Sequence, residues 1–275
     1  MDKFIAAAIQ MDSQDNIKSN LQQATDLIEE AVEKGAKLVA LPELMHYWGR
    51  EHLQAAEEVP GGESFLVLSK LAKKYKIWLH GGSIYKKDPQ GGLPSNCTLV
   101  FNPEGVLAAS YEKIHPFDVV LPEGASFKES DKVRPGKKIV TLDTQEVGHL
   151  GLAICYDTRF GEIFRLMALA GANIFLTPAA FTVNTGKDHW ETLLRARAIE
   201  NECYVVAPAQ IGNKPKFQAN ANSMIIDPWG TVIARASQRV GVITAEIDLN
   251  YVTKVRHQTF SLANRRPDVY SLTEK

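Results

Sequence analysis

Residues 151–160, GLAICYDTRF, join an apolar run to a polar segment and place a cysteine at the junction. The apolar run over residues 147–154 predicts a buried strand. Apolar residues then recur at helical spacing over 162–170, and Gly171 follows them, so this segment predicts a helix with a glycine C-cap. A strand that leads through a reactive side chain into a helix is typical of α/β folds, which display functional groups at the ends of their strands.

The same alternation of short strands and helices extends to both sides of this stretch. Residues 4–10 predict a strand, and the apolar residues of 17–32 recur at the spacing of an amphipathic helix. No Pro- or Gly-rich linker divides the chain, so we expect one layered α/β domain over residues 1–275 with mixed sheets. Further strands are predicted at 37–43, 77–80, 97–101, 106–113, 173–178, 203–210, 223–226, 231–236 and 242–247, and further helices at 64–75 and 189–199.

Residues 249–275 form the end of the chain and stand apart from this pattern. They include Arg265-Arg266-Pro267, and we expect them to be irregular. We expect this tail to dock on the surface of the domain or at a dimer interface.

Composition limits the classes of partner. With 31 basic and 32 acidic residues, the formal charge of -1 provides no field that would gather nucleic acid or an anionic membrane, so we expect a small-molecule substrate.

Three widely separated cysteines do not suggest a disulfide framework and favour a reducing compartment. The chain starts without a signal-peptide core and contains no apolar run long enough to span a bilayer. We therefore expect a cytoplasmic protein.

The sequence contains no pattern typical of a metal site or of a nucleotide-binding loop. The seven histidines are scattered, with no pair at ligand spacing, and no Cys-x-x-Cys is present. The glycine pairs at 81–82 and 91–92 lack the Lys-Ser/Thr or helix context of a phosphate loop. We expect no cofactor.

Three segments place a reactive side chain at the end of an apolar strand. Glu43 follows LVALP (38–42), where a fixed carboxylate suits a general base and would serve equally well as a helix or loop cap. Lys113, in YEKIH (111–115), would supply a positive charge to an oxyanion, although most lysines are solvated surface residues. Cys155 lies at a strand-to-helix turn, where helix amides favour a thiolate. A free cysteine is more often a buried structural residue, which is our interpretation of Cys97 and Cys203.

The segments LPE, YEKIH and GLAICYDTRF, in this order, resemble the three signatures of the nitrilase superfamily, and the resemblance covers nearly the whole chain. It identifies Glu43, Lys113 and Cys155 as a catalytic trio. The pattern looks closest to the amidases that include omega-amidase and the deaminated glutathione amidases. Further matches are FKES (127–130), DHWE (188–191), RARA (195–198) and DPWG (227–230).

This resemblance implies both a fold and a reaction. The fold is a four-layer α-β-β-α sandwich with two mixed central sheets, and such sandwiches join as homodimers across helices. The reaction is attack of Cys155 on an amide carbonyl, with Glu43 as proton acceptor and Lys113 plus a backbone N–H stabilising the oxyanion. A thioester forms without a metal or organic cofactor. The family's second glutamate corresponds to Glu129, which would hold Lys113 and the substrate; the alternative is an ordinary surface acid.

Three further residues are predicted to meet the substrate. Arg159 is the natural partner of a substrate carboxylate, with an ion pair to Asp157 or Glu162 as the alternative. Tyr47 and Phe181 are predicted to line the pocket, and each would also fit in the core.

Other functions remain open at this point. The related amidases have leucine where this chain has Pro116, a departure that affects the substrate assignment more than the reaction class. A nitrilase or an N-carbamoyl-amide hydrolase would use the same trio. A non-catalytic scaffold is a further alternative, because a fold does not imply a function.

Overall fold

The computed structural model describes residues 2–120 and 126–274, which form two large β-sheets, covered on their outer faces by helices, and two small two-stranded sheets. No helix in these two ranges is both long enough and apolar enough to cross a membrane. The helices are α1 (Ile17–Glu33), α2 (Glu63–Tyr75), α3 (Gly161–Leu169), α4 (Val183–Asn201) and α5 (Leu249–Thr259). The strands are β1 (Lys3–Gln10), β2 (Ala36–Ala40), β3 (Trp78–His80), β4 (Ile84–Lys86), β5 (Ser95–Phe101), β6 (Leu107–Glu112), β7 (Asp118–Val120), β8 (Ser126–Lys128), β9 (Thr141–Asp143), β10 (His149–Leu152), β11 (Ile174–Leu176), β12 (Tyr204–Ala207), β13 (Ile211–Lys214), β14 (Phe217–Asn220), β15 (Met224–Ile226), β16 (Val232–Arg235) and β17 (Gly241–Asp248).

Both large sheets mix parallel and antiparallel strands, as predicted. The first has the order β17-β1-β2-β3-β5-β4, with β6 paired to β5, and the second has the order β16-β15-β12-β11-β10-β9. In each sheet the central strands are parallel and the edge strands antiparallel. The strands predicted at 97–101 and 106–113 pair as the antiparallel hairpin β5–β6, and those predicted at 223–226 and 231–236 pair as β15–β16.

The layers follow from the alternation of side chains along the strands. In β1, Ala7 and Ile9 belong to one buried cluster, which includes the apolar faces of α1 and α2. Ala6 and Ala8 belong to a second cluster, which contains the second sheet together with α3 and α4. Because successive side chains of a strand point to opposite faces, the first sheet lies between its helices and the second sheet. The predicted α-β-β-α sandwich is confirmed.

This arrangement brings the chemical segments to one edge of the sandwich. Glu43 follows β2, whose strand ends at Ala40 rather than at residue 43, so the carboxylate lies on a loop. Lys113 directly follows β6, and Cys155 lies three residues after β10. Glu43 and Lys113 follow strands of the first sheet and Cys155 follows a strand of the second, so the packing of the two sheets brings the three groups together.

The end of the chain differs from the prediction of an irregular tail over 249–275. Residues Leu249–Thr259 form α5, which is N-capped by Asp248 and buries Val252 and Val255; Val252 belongs to the core cluster that contains the second sheet. Leu249, Val252 and Val255, spaced three residues apart, were the sequence signal by which this helix could have been predicted. Only the residues after it are irregular, and Glu274 accepts a hydrogen bond from the Ile139 backbone N–H at 3.1 Å.

Helix α4 begins at Val183, six residues before the predicted start at 189. Thr182 is its N-cap and accepts a hydrogen bond from the Thr185 backbone N–H. The first turns contain Gly186 and few apolar residues, so the helical period is weak there. The earlier start brings Thr182 and Thr185 to the cavity described below.

Candidate active site

Glu43 is held in place through its backbone and through one carboxylate oxygen. Its carbonyl accepts hydrogen bonds from Gln210 Nε2 at 2.9 Å and from Trp48 Nε1 at 3.3 Å. Its side chain is buried, and Oε1 accepts hydrogen bonds from Asn96 Nδ2 at 2.9 Å and from Lys113 Nζ at 3.0 Å. Because both of these bonds fall on Oε1, Oε2 is the oxygen left to accept a proton.

Lys113 lies between two carboxylates. Its backbone N–H donates to Asn96 O at 2.8 Å, which fixes the end of β6 against β5. Its ammonium donates to Glu43 Oε1 and, at 2.8 Å, to Glu129 Oε2. Glu129 is partly buried and also accepts the Phe117 backbone N–H at 2.6 Å. Glu129 is therefore part of the cluster rather than an ordinary surface acid.

Asn96 completes this cluster, and sequence analysis missed it. Its Nδ2 donates to Glu43 Oε1 at 2.9 Å and to Glu129 Oε1 at 3.3 Å, so one amide ties the two carboxylates together. Every residue of β5 is buried, and asparagine is disfavoured in strands. An amide in such a strand was the available signal, but it does not identify the partners.

We expect Asn96→Ala to lower kcat about 10- to 100-fold with a smaller change in KM, because the carboxylates would lose a shared tether and catalytic geometry is sensitive to small displacements. Steady-state kinetics on an amide substrate would measure this. Thr98→Val is the matched control, since Thr98 lies on the same buried strand and its hydroxyl donates to Gly82 O. An equal loss in the two variants would show that the strand, rather than the Asn96 amide, matters.

Cys155 opens the 3₁₀ turn Cys155–Arg159 in a strained conformation. Its φ of 50° lies in the left-handed region, which non-glycine residues rarely adopt. Its own backbone N–H donates to Pro178 O at 2.9 Å. The side chain is 7% exposed and borders a cavity together with Glu43 and Lys113. The structure thus brings the three predicted residues together.

Asp157 links this turn to the YEKIH segment. Its fully buried carboxylate accepts hydrogen bonds from the Ile154 backbone N–H at 2.8 Å and from the Tyr111 hydroxyl at 2.7 Å. It also contacts His115 Nδ1 at 2.7 Å. The two segments therefore share one buried carboxylate, which fixes the Cys155 turn relative to Lys113.

The three central groups perturb one another. Burial raises the pKa of Glu43, and Glu129 adds to this effect while Lys113 opposes it. Burial alone would lower the pKa of Lys113, but Glu129 and Glu43 raise it well above its ordinary value. Burial and Glu43 raise the pKa of the Cys155 thiol well above its usual range, although Lys113 opposes them. These shifts favour the neutral form of the Cys155 thiol and the charged form of the Lys113 ammonium.

This balance corrects the expectation that helix amides favour a thiolate at Cys155. Burial and Glu43 outweigh the favourable contacts, so a thiol at this position would need a base in order to attack a substrate. Cys97 and Cys203 are fully buried elsewhere, and burial raises the pKa of each thiol to about 12. The interpretation of these two as core residues is confirmed.

The cavity beside Cys155 is lined by seven aromatic and six charged side chains, and such a combination of apolar walls with convergent polar groups is typical of a small-molecule site. Phe181 lines it, as predicted. Tyr47 does not; it is buried, and its hydroxyl accepts the Glu51 backbone N–H at 3.0 Å. The aromatic side chains that line the cavity are Trp48, Tyr85, Phe117, Phe127, Tyr156, Phe181 and Phe217.

Arg159 lies beside the cavity rather than among the residues that line it. Its guanidinium lies over the rings of Tyr156 and Phe181, 5.6 and 5.5 Å from their centroids, and contacts His189 Nδ1 at 3.3 Å. Within residues 2–120 and 126–274 it has no carboxylate partner, so the alternative of an ion pair with Asp157 or Glu162 is wrong.

The β13–β14 hairpin forms another part of the cavity wall, which sequence analysis left without a role. Its tip contributes Pro215, Lys216 and Phe217. Lys214 fixes the hairpin, because its buried ammonium donates to Asp12 Oδ1 at 2.9 Å and to Ser13 O at 2.8 Å. The hairpin thus joins the end of β1 to the site.

Comparisons with known proteins agree with this geometry. The chain is 41% identical over 271 residues to a deaminated glutathione amidase of Synechocystis, which covers 96% of the chain and 99% of that protein. It is 40% identical over 279 residues to the omega-amidase NIT2 of Xenopus tropicalis, covering all of the chain and 99% of the relative. It is also 41% identical to the nitrilase and fragile histidine triad fusion protein NitFhit of Caenorhabditis elegans, of which it spans only 62%.

Solved structures give the same result. The crystal structure of the C. elegans NitFhit protein superposes with a TM-score of 0.88 at 40% identity, over 99% of this chain and 67% of that one. Saccharomyces cerevisiae Nit3, described as a member of branch 10 of the nitrilase superfamily, superposes with a TM-score of 0.87 at 32% identity, over 97% of both chains. The carbon-nitrogen hydrolase family model matches residues 5–257. This chain therefore belongs to the carbon-nitrogen hydrolases of the nitrilase superfamily.

Proposed function

We propose that this carbon-nitrogen hydrolase is a cysteine amidase that cleaves a small carboxylate-bearing amide to an acid and ammonia or an amine. The substrate class is the ω-amide of an α-keto acid or deaminated glutathione, in keeping with the names of the relatives. The observation that carries the proposal is the cavity shared by Cys155, Lys113 and Glu43, with Glu43 Oε2 left free by the bonds to Oε1.

Attack begins with transfer of the Cys155 thiol proton to Glu43 Oε2, while Sγ forms a bond to the amide carbonyl carbon. The raised pKa of Glu43 makes its carboxylate a stronger base and lies closer to the pKa of the Cys155 thiol, which eases the proton transfer between them. The tetrahedral intermediate collapses when Glu43 returns the proton to the leaving nitrogen. Ammonia or an amine departs, and the acyl group remains on Cys155 as a thioester.

The oxyanion of each tetrahedral intermediate is stabilised by the Lys113 ammonium, whose position between two carboxylates is fixed before reaction. The Cys155 N–H is engaged with Pro178 O, so the second donor is the backbone N–H of Tyr156, in the first turn of the 3₁₀ segment. Glu43 then takes a proton from water, which attacks the thioester. The acid leaves, and the proton returns to Cys155.

Arg159 is the residue we assign to the substrate carboxylate. It lies four residues after the nucleophile, against two cavity rings, and no acid of the described ranges neutralises it. A planar guanidinium binds a carboxylate through two parallel hydrogen bonds, an interaction a lysine does not reproduce.

We expect Arg159→Gln to raise KM for a carboxylate-bearing amide about 10- to 100-fold, because a charge-assisted pair would be lost. The KM of an uncharged amide of similar size should change little, and Arg159→Lys should restore only part of the affinity. Steady-state kinetics on the two substrates would test this. An equal rise for the charged and uncharged amides would assign Arg159 to structure instead.

The experiment that tests the proposed function measures ammonia or amine release from four compounds: an α-keto-acid ω-amide, deaminated glutathione, a nitrile and an N-carbamoyl amine. We expect turnover of an amide and loss of that turnover in Cys155→Ala. Turnover of the nitrile or the carbamoyl compound alone would replace the amidase with one of the two alternative hydrolases. No turnover by a folded protein would favour the scaffold.

A further inference from the structure

A second pair of cationic side chains, Lys132 and Lys216, borders the cavity in addition to Lys113. Lys132 follows the 3₁₀ turn Glu129–Asp131 and is half-buried, whereas Lys216 lies exposed at the tip of the β13–β14 hairpin. Both line the same cavity as Cys155, although they come from different elements. Two separate segments of the fold thus direct positive charge to one part of the wall.

Neither lysine is neutralised by an acid in the described part of the chain. Lys128 also lines the cavity, but it forms an ion pair with Asp131 at 3.1 Å, whereas Lys132 and Lys216 form no such pair with any residue of 2–120 or 126–274. Burial and the nearby Lys216 lower the pKa of Lys132, whereas Glu129 raises it. Two lysines that repel one another at a cavity wall are suited to bind an anion.

The aromatic wall separates these lysines from Arg159. Phe217 contacts Phe127, Phe127 contacts Phe117, and Phe117 contacts Tyr156, with ring centroids 5.9, 5.3 and 5.1 Å apart. Arg159 lies over Tyr156, next to the nucleophile. Lys216 directly precedes Phe217 in the hairpin, so it lies at the opposite end of this row of rings, and Lys132 lies close enough to Lys216 to sense its charge.

One end of the row of rings lies beside Cys155 and the other does not, and this difference sets the direction in which a substrate would lie. Arg159 takes the carboxylate of the acyl part beside Cys155, so the part that continues along the rings belongs to the leaving amine. We infer that Lys132 and Lys216 form a second anion-binding subsite, which takes a carboxylate carried by the leaving amine of an extended amide. This inference rests on the proposed amidase function and narrows its substrate class. Amides that release ammonia would leave the subsite unused.

Equilibrium binding to Cys155→Ala, measured by calorimetry, separates binding from turnover. The two ligands are deaminated glutathione and the same molecule with its terminal carboxylate converted to a carboxamide. We expect the carboxylate form to bind about tenfold more tightly, as two partly exposed ion pairs would give. Adding Lys132→Gln and Lys216→Gln should remove this preference, and raised salt should weaken it.

Two control variants test whether the preference depends on the charges of Lys132 and Lys216 in particular. Lys128→Gln, with its partner Asp131 intact, should retain the preference, and Lys132→Arg with Lys216→Arg should retain it as well. Equal binding of the two ligands, or the same loss of preference in Lys128→Gln, would overturn the subsite. If the preference holds but wild-type protein hydrolyses neither ligand, the subsite stands and the proposed amidase function fails.

Discussion

Cys155→Ala is expected to lower kcat/KM for the amide by about 10⁴-fold or more, to the level of residual transition-state binding. The nucleophile accounts for this effect because no other thiol borders the cavity within the described ranges. Alanine removes Sγ without adding a group to the site, and the strained φ of 50° is fixed by the surrounding turn rather than by the thiol. The protein should therefore remain folded while turnover is lost.

Cys97→Ala and Cys203→Ala are the matched controls for this prediction. Both thiols are fully buried outside the site, so these variants should lose stability, by about 1 kcal/mol, but keep kcat. In labelling of the native wild-type protein with iodoacetamide, Cys155 should react first. Turnover retained in Cys155→Ala, or equal labelling of all three cysteines, would contradict a catalytic thiol.

Glu43→Gln is expected to lower kcat/KM about 10³-fold, the effect of removing a general base. Glutamine keeps the size of the side chain and an oxygen that can accept the bonds from Asn96 and Lys113, so the cluster should persist. The base must be ionised to act, and burial raises the pKa of Glu43 above its ordinary 4.5. Wild-type kcat/KM should therefore be lost as the pH falls through a value above 4.5.

The pH profile of Glu43→Gln should lack this acid limb. Glu57→Gln is a suitable control, because Glu57 is also a buried carboxylate, whose pKa burial raises, but it accepts bonds from Ser64 at the start of α2. Glu57→Gln should lower the free energy of unfolding and leave the acid limb in place. An unchanged acid limb in Glu43→Gln would assign the ionisation to a different group.

The positions of Glu43, Lys113 and Cys155 at the ends of strands were predictable from local sequence, whereas their assignment as a catalytic trio came from the resemblance to the nitrilase superfamily. Glu43, Lys113 and Cys155 each follow an apolar strand, and the strands that precede them occur close to where the apolar runs predict them. The ends of strands are predicted less accurately than their presence: the strand predicted at 37–43 ends at Ala40. The spacing of apolar residues indicates which side chains face the core and where a strand ends, and each of these three residues lies just after such an end.

The polar partners of the trio could not be read in this way. Asn96 meets Glu43 across 53 residues of sequence, and Gln210 reaches the Glu43 carbonyl across 167. Local patterns carry no information on which distant polar groups meet, because those contacts depend on how the two sheets pack. For the same reason the hairpin that presents Lys216 to the cavity had no recognisable role.

The electrostatics of Cys155 also needed the structure. A strand-to-helix turn alone suggests a stabilised thiolate, whereas burial and the nearby Glu43 carboxylate raise the pKa of the thiol. Burial depends on the cavity walls, and Glu43 arrives from the other sheet. The sequence thus predicts the nucleophile but not the way in which it would be activated.

Trapping the acyl-enzyme tests the central claim most directly. The protein is mixed with an excess of the amide, quenched in acid within the first turnovers, and analysed by intact mass and peptide mapping. We predict a mass increase equal to the substrate minus the released amine, located on Cys155, removed by hydroxylamine and absent from Cys155→Ala. Release of amine with no adduct on Cys155, or an adduct that persists in Cys155→Ala, would contradict the thioester mechanism.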